Sequence, residues 1–574
     1  MAPVQVETEP GLLPLALAIS RVTAAAYASY TVGRSLYRSH QALGPAHDTR
    51  SRKAERTKLT TAFGSLAALG LVFAVTSGLE YLTLSYKVWA SQRGVAVPEL
   101  SNFFRNHTQT ADGTPIDRVY LQHWLSDVPV FTDALEIIAE KSRRLWWGQQ
   151  LDLATISWTA LLAIEGRRRE IPHLWAYALL PHLVSLSFAQ NLFYVALLQT
   201  PSPIPPEETR IDQLLRRVLP AKPRDWAPKL PLLLVPLVFS YLATLWLPST
   251  AGTPTFPAAV LATKLLTLAP LAIPALVPAS WGTVHREPRD AYPNITKLFN
   301  VISGVSALLQ AKSTVSALLY NLPGSYKHRH SIKFPFDTEK RSKWERTATA
   351  VEKVLDALTD HPVVAAAGKD VFLSALSLGL WAAVRSTDVR NMLRSLYPAL
   401  SSRQPSSSSA NEDVKQDGDE STIKVEPLPE EDETTSTSPP PLSMNLRRRN
   451  RKNKASISSI DDLSSQQSQS APTTKRRGRG RKPKHEPEPE PEPEPEAEAE
   501  TAELEPEIKQ ERHVSPEDKT YEPTPAVKAA ARLGDVVPEG DFDWEPAALA
   551  WGLTALGGLG IGTAAVFGAE CLAR

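Results

Sequence analysis

Residues 171–200 read IPHLWAYALLPHLVSLSFAQNLFYVALLQT: thirty positions without Asp, Glu, Lys or Arg, directly after the basic knot Arg167-Arg168-Arg169-Glu170. A run that long and uncharged belongs in a bilayer. As one helix it would extend about 45 Å at roughly 1.5 Å per residue, against roughly 30 Å of hydrocarbon, so a tilt or a kink at Pro181 is expected. Judged by length and absence of charge, further spans are expected at about 11–33, 59–86, 145–165, 230–248, 256–280, 294–320 and 546–568, eight in all with 171–200. Residues 362–384 are apolar as well, but Lys369 and Asp370 lie near their middle. A mid-bilayer charge costs about 2.5–3.5 kcal/mol on insertion scales, so this segment is read as not spanning.

The expected fold is therefore all-α: a multipass transmembrane helical bundle over residues 1–400, a long disordered charged tail over 401–545, and a C-terminal transmembrane helix over 546–568. Whole-chain composition, 42% hydrophobic and 22% charged with a net charge of +1, resembles a soluble protein because it averages these two materials. Residues 401–544 hold only three aromatics, Tyr521, Phe542 and Trp544, with Ser and Pro runs and a Glu-Pro repeat. Such a segment cannot bury enough apolar surface to offset chain entropy. The single cysteine, Cys571, rules out an internal disulfide framework and any zinc site built on several cysteines.

Residues 87–144 form the one loop between spans large enough to fold by itself. Apolar spacing from Val119 to Trp147 predicts one or two helices broken near Pro129, with Trp146 and Trp147 as anchors at the membrane interface. A basic amphipathic piece is expected over 333–358. Orientation follows the basic loops: seven Lys/Arg in 34–58, three at Arg167–Arg169 and seven in 327–346 would place these on the cytosolic side. The N-terminus and Arg574 are then lumenal, the tail is cytosolic or nucleoplasmic, and Asn106, in an Asn-His-Thr sequon, is a candidate glycosylation site on the lumenal side.

Ionisable residues inside membrane segments are functional candidates by default. His182 in mid-span, with Asp152 and Glu80, forms the candidate intramembrane site, either as structural hydrogen bonding or as the lining of a cavity. The spans contain no His-x-x-x-His or Glu-x-x-His metal spacing, no Gly-x-Ser-x-Gly and no phosphate-binding glycine loop, so no metal, cofactor or catalytic residue is assigned. In the last span Gly558 and Gly562 lie four apart, a spacing that permits close helix approach within the bundle or self-association between copies.

The tail carries Lys475-Arg476-Arg477-Gly478-Arg479-Gly480-Arg481-Lys482-Pro483-Lys484. These ten residues resemble the AT-hook, a short motif with an Arg-Gly-Arg core and flanking Lys, Arg and Pro. The resemblance implies that Arg477, Gly478, Arg479, Gly480, Arg481, Lys482 and Pro483 contact the minor groove of A·T-rich DNA in chromatin. Arginines favour the enhanced negative potential of that narrow groove. Here Lys482 separates Arg481 from the proline that usually follows the core. An import signal recognised by import factors, or a patch for anionic lipid or RNA, is the other reading of this charge. Lys424 and Lys509 stand in hydrophobic-Lys-x-Glu patterns like those that accept the small ubiquitin-like modifier. Together these features favour an endoplasmic-reticulum or nuclear-envelope tether over an enzyme. The rival is a polytopic enzyme or transporter acting on a lipid or small apolar molecule.

Overall fold

The computed structural model describes residues 11–43, 50–95, 120–199, 220, 222–223, 226–285, 291–329, 337–396, 536–537 and 542–572. Among them, six helices are long and apolar enough to cross a membrane, and the chain is an all-α multipass bundle. The helices are α1 (Leu12–Gln41), α2 (Arg50–Arg93), α3 (Leu121–Asp127), α4 (Val130–Ala139), α5 (Ser142–Leu161, prolonged by a π turn, Leu162–Gly166), α6 (Leu174–Leu183), α7 (Leu186–Leu198), α8 (Leu230–Trp246), α9 (Phe256–Leu276), α10 (Tyr292–Leu319), α11 (Lys343–Asp360), α12 (Pro362–Val384), α13 (Val389–Leu396), α14 (Trp544–Gly557) and α15 (Leu559–Leu572). Two small antiparallel ladders, β1 (Trp226–Pro228) with β2 (Gly282–Val284) and β3 (Tyr326–Arg329) with β4 (Asp337–Lys340), trim the helix ends.

The decisive stretch is not one helix. α6 and α7 have 10 and 13 residues, about 15 and 20 Å of helix, each short of a roughly 30 Å hydrocarbon core. The chain reverses between them: Val184 leaves helical geometry at φ −125, ψ −84, and Ser185 restarts the helix as an extended N-cap whose hydroxyl accepts from Phe188 N. Pro181 contributes by removing one intrahelical donor from the last turn of α6. Tyr177 and Phe193 meet edge to face at 5.5 Å, as an antiparallel hairpin requires. The break overturns the expected single span with a kink at Pro181. Its physical cause lies elsewhere in the chain, because the backbone N–H groups freed at the reversal are taken by Asp370 of α12.

The last apolar segment behaves in the same way. Instead of one span over 546–568, α14 and α15 fold back at Gly558, where φ +82 and ψ 166 select glycine. The returning helix packs Gly562 on Thr554 and Leu378, and Gly558 lies against the side chain of Gln310. Both glycines are thus covered within the chain.

Contacts order the helices between two ends. At one end lie Gly11, Trp89, Asp127, Arg143 and Asp360: Trp89 Nε1 donates to Asp127 at 2.9 Å, and Arg143 meets Asp360 at 2.6 Å. At the other lie Arg56, Arg167, Leu198, Arg385 and Glu570. Seven passages join the ends: α1, α2, α5, α8, α9, α10 and α12. Both hairpins, α6–α7 and α14–α15, begin and finish at the Arg167 end. The 362–384 segment, read from sequence as not spanning, runs end to end as α12, and its two mid-helix charges are both engaged: Lys369 Nζ donates to Ser77 Oγ at 3.0 Å. α5 also runs end to end, its polar Gln149, Gln150 and Asp152 facing the interior.

The orientation inferred from charge changes accordingly. Turning 171–200 into a hairpin moves 327–346 to the end opposite Arg167, and letting α12 cross brings the chain back. The flanks of the 401–545 segment therefore remain at the Arg167 end, where Asp543 N lies 3.3 Å from Ala383 O. Cys571 shares that end, since its carbonyl accepts from Arg168 at 3.1 Å, against the expectation of a C-terminus across the membrane from the tail. A labelling experiment checks this order. In a Cys571→Ser background on sealed vesicles, Gln41→Cys and Pro223→Cys should react with a membrane-impermeant maleimide from one side and Tyr120→Cys and Trp344→Cys from the other. Reaction of positions 41 and 344 from the same side would restore the eight-span order.

Packing is densest around α7. Tyr194 stacks on Trp381 at 4.4 Å with planes 1° apart, and Phe63 meets both rings edge-on, joining α2, α7 and α12. The break near Pro129 falls as expected, between α3 and α4. Trp146 and Trp147 do not anchor at an interface: Trp147 is buried and donates to Val354 O of α11, and Trp146 donates to Thr314. α11 covers them, turning Ala350, Val354 and Ala357 inward and leaving Trp344 and Leu355 exposed.

Candidate functional site

The two hairpin tips meet a layer of polar side chains in the middle of the bundle. At the first tip the Asp370 carboxylate accepts from Leu186 N at 2.9 Å and Ser187 N at 2.8 Å. These are the first donors of α7, which point out of the helix with a partial positive charge and need a partner where water is excluded. Gly70 lets α2 approach the same tip, since a Cβ there would stand 2.9 Å from Ser187 Oγ and 3.2 Å from Phe188 N. Behind it, Gln190 Nε2 donates to Tyr194 Oη, and Asn191 Nδ2 donates to Ser377 Oγ at 2.9 Å.

His182, in the last turn of α6, lies beside this tip. Its Nε2 is 3.1 Å from Thr267 Oγ1 of α9, and Thr267 in turn donates to Lys264 O at 2.7 Å. The His182 carbonyl accepts from Arg21 Nη2 at 2.5 Å, and that guanidinium lies 4.7 Å from the centre of the Phe131 ring. Asp152 pairs with Lys264 at 3.1 Å. The structure thus brings His182 and Asp152 to one helix, α9, one turn apart, without direct contact. Glu80 stands apart from them, exposed on α2.

At the second tip Leu559 N donates to Gln150 Oε1 at 3.2 Å. Gln310, 5% exposed, has its amide oxygen and nitrogen without a hydrogen-bond partner among the described residues. Buried polar atoms are nearly always satisfied, so this amide marks a place where a polar group belongs.

Sequence reasoning missed a third cluster, at the Arg167 end. Glu165, fully buried in the π turn, is paired with Arg168 and with Arg169, and both carboxylate oxygens of Glu570, 1% exposed, accept from Arg385 Nε at 2.9 and 3.1 Å. The spacing of Glu165 to Arg168 and Arg169, three and four residues, was readable as a helical pair. The pairing of Arg385 with Glu570 crosses 185 positions and left no local signal. Nearby, Arg167 and Lys222 lie 4.8 and 4.9 Å from the Trp226 ring, and burial, then the Arg167 charge, hold the Lys222 ammonium below its ordinary value.

Among the described residues no group of three or more His, Cys, Asp or Glu could hold a metal ion. The candidate nucleic-acid residues Arg477–Pro483, the glycosylation candidate Asn106 and the modifier candidates Lys424 and Lys509 all lie outside the described residues. Comparison with protein-family models, with curated proteins and with solved structures gives no match to this chain.

Proposed function

We propose that this multipass membrane protein is a tether of the endoplasmic reticulum or nuclear envelope, which holds the 401–545 segment at one membrane face so that residues 475–484 contact nucleic acid. The observation that carries the reading is the hairpin α14–α15. α12 brings the chain to the Arg167 end before the segment, and after it Asp543 N lies 3.3 Å from Ala383 O, while the hairpin returns Glu570 to Arg385, so the described flanks of the segment lie at one end. The rival reading, a transporter or enzyme for a lipid or small apolar molecule, is supported by the polar layer at the hairpin tips and by the unpartnered Gln310 amide.

Seven basic residues in 475–484 make the electrostatic term of binding strong. The full chain in nanodiscs is therefore expected to bind duplex DNA with an affinity that falls on the order of 10³-fold between 50 and 200 mM salt. If the central arginines enter the minor groove, Arg479→Ala should remove the preference for A·T-rich over G·C-rich duplex, whereas Lys475→Ala should weaken both about equally. Equal affinity of the unaltered chain for the two duplexes would leave only a charge patch. A tagged chain confined to membranes away from the nucleus would defeat the tether and favour the transporter or enzyme.

A further inference from the structure

α8 and α9 form an antiparallel pair, tied by Ser240 Oγ donating to Leu266 O at 2.7 Å. Toward the Arg167 end they leave an outward groove of about 450 Å³ lined by Pro231, Leu232, Val235 and Pro236 of α8 and Ile273 of α9. Lys229 and Trp281 close its lower end. Val235 and Trp281 are 52% and 54% exposed. Side chains at 231, 232, 235 and 236 share one helix face, and prolines inside both helices, Pro236, Pro270 and Pro274, limit how closely the two backbones track each other.

The charges at the groove's foot are not equivalent. Lys222 is engaged by the carbonyls of Pro274 and Ala275 at the end of α9, and Arg167 lies over Trp226. Lys229 is exposed at the N-cap of α8, and its ammonium meets no acceptor among the described residues. The apolar groove runs along α8 to the Trp281 indole and the exposed Lys229 at its foot, as an acyl chain runs to the interfacial headgroup in a lipid leaflet.

We propose that this groove is a binding site for an anionic phospholipid, with an acyl chain between α8 and α9 and the phosphate on Lys229. The size suits one chain rather than a whole bilayer patch, and the charge selects an anionic headgroup over a zwitterionic one. This site is independent of what the 401–545 segment contacts.

The test uses the purified full chain in nanodiscs made from equal amounts of phosphatidylglycerol and phosphatidylcholine with identical acyl chains, followed by mild detergent extraction and mass spectrometry of the retained lipid. Phosphatidylglycerol should be enriched about five-fold, the preference one lysine near the membrane surface supplies. Lys229→Gln should abolish the enrichment and Lys229→Arg should keep it, with unchanged thermal midpoints showing that both variants fold. Val235→Trp, which fills the groove, should lower retention of both lipids. Equal retention by the unaltered chain, or enrichment that survives Lys229→Gln, overturns the proposal. Displacement of the lipid by millimolar inorganic phosphate would also overturn it, since the site would then read phosphate alone.

Discussion

Replacing Arg385 by methionine is expected to destabilise the protein by about 3–5 kcal/mol, because Glu570 would be left as a buried carboxylate without the cation that donates to both its oxygens. Glu570 is 1% exposed, and the Arg385 side chain is the group that contacts both its oxygens. The penalty arises from removing one partner of a desolvated pair, not from the pair's net worth. The double variant Arg385→Met, Glu570→Met should therefore recover most of the loss, as buried ion pairs replaced by apolar groups of similar volume often do. Arg385→Lys should fall between, since it keeps the positive charge but loses the planar guanidinium whose Nε reaches both carboxylate oxygens. Thermal midpoints of the purified chain and its abundance in cells are the readouts. A double variant as unstable as Arg385→Met alone would mean that the arginine holds α12 by packing and not by charge.

The second large effect is expected at Asp370. Its half-buried carboxylate accepts from two backbone N–H groups at the start of α7. Hydrogen bonds to a charged group contribute about 1.5–3 kcal/mol each. Asp370→Ala should therefore cost about 3 kcal/mol or more. Asp370→Asn, which keeps one acceptor oxygen, should cost roughly half as much. Ser185→Ala removes the local cap of the same helix and sets the scale for an ordinary capping loss, about 1 kcal/mol. If Asp370→Ala proves no worse than Ser185→Ala in thermal unfolding, the hairpin tip is held by its own sequence and not from α12.

Both sites bear on why the span count from sequence and the arrangement in space differ. Absence of charge marked 171–200 and 546–568 correctly as apolar segments within the bundle, but it could not say whether an apolar run crosses or returns. Crossing needs only length; returning needs a partner for the polar backbone at the turn. For α6–α7 that partner is Asp370, and for α14–α15 it is Gln150, each far away in the chain. The same Asp370 and its neighbour Lys369 made residues 362–384 look unfit to cross. The charge that counted against one span is the one that lets another segment turn back. The misreadings of 171–200 and 362–384 offset each other at the flanks of the 401–545 segment, whereas that of 546–568 had no counterpart and moved the C-terminal end.

The amino-acid sequence by itself determined the all-α multipass character, the break at Pro129 and the presence of polar groups at His182 and Asp152, because hydropathy, proline geometry and the rarity of buried charge act locally. The basic segment 475–484 is likewise readable from its residues alone. Tertiary structure alone decided that two apolar runs are hairpins, that Glu80 stands outside the polar layer, that Glu570 is neutralised by Arg385, and that a lysine-footed groove lies between α8 and α9. Those features depend on which groups meet across positions remote in the chain, and a buried donor or carboxylate is stable only where a distant side chain completes it.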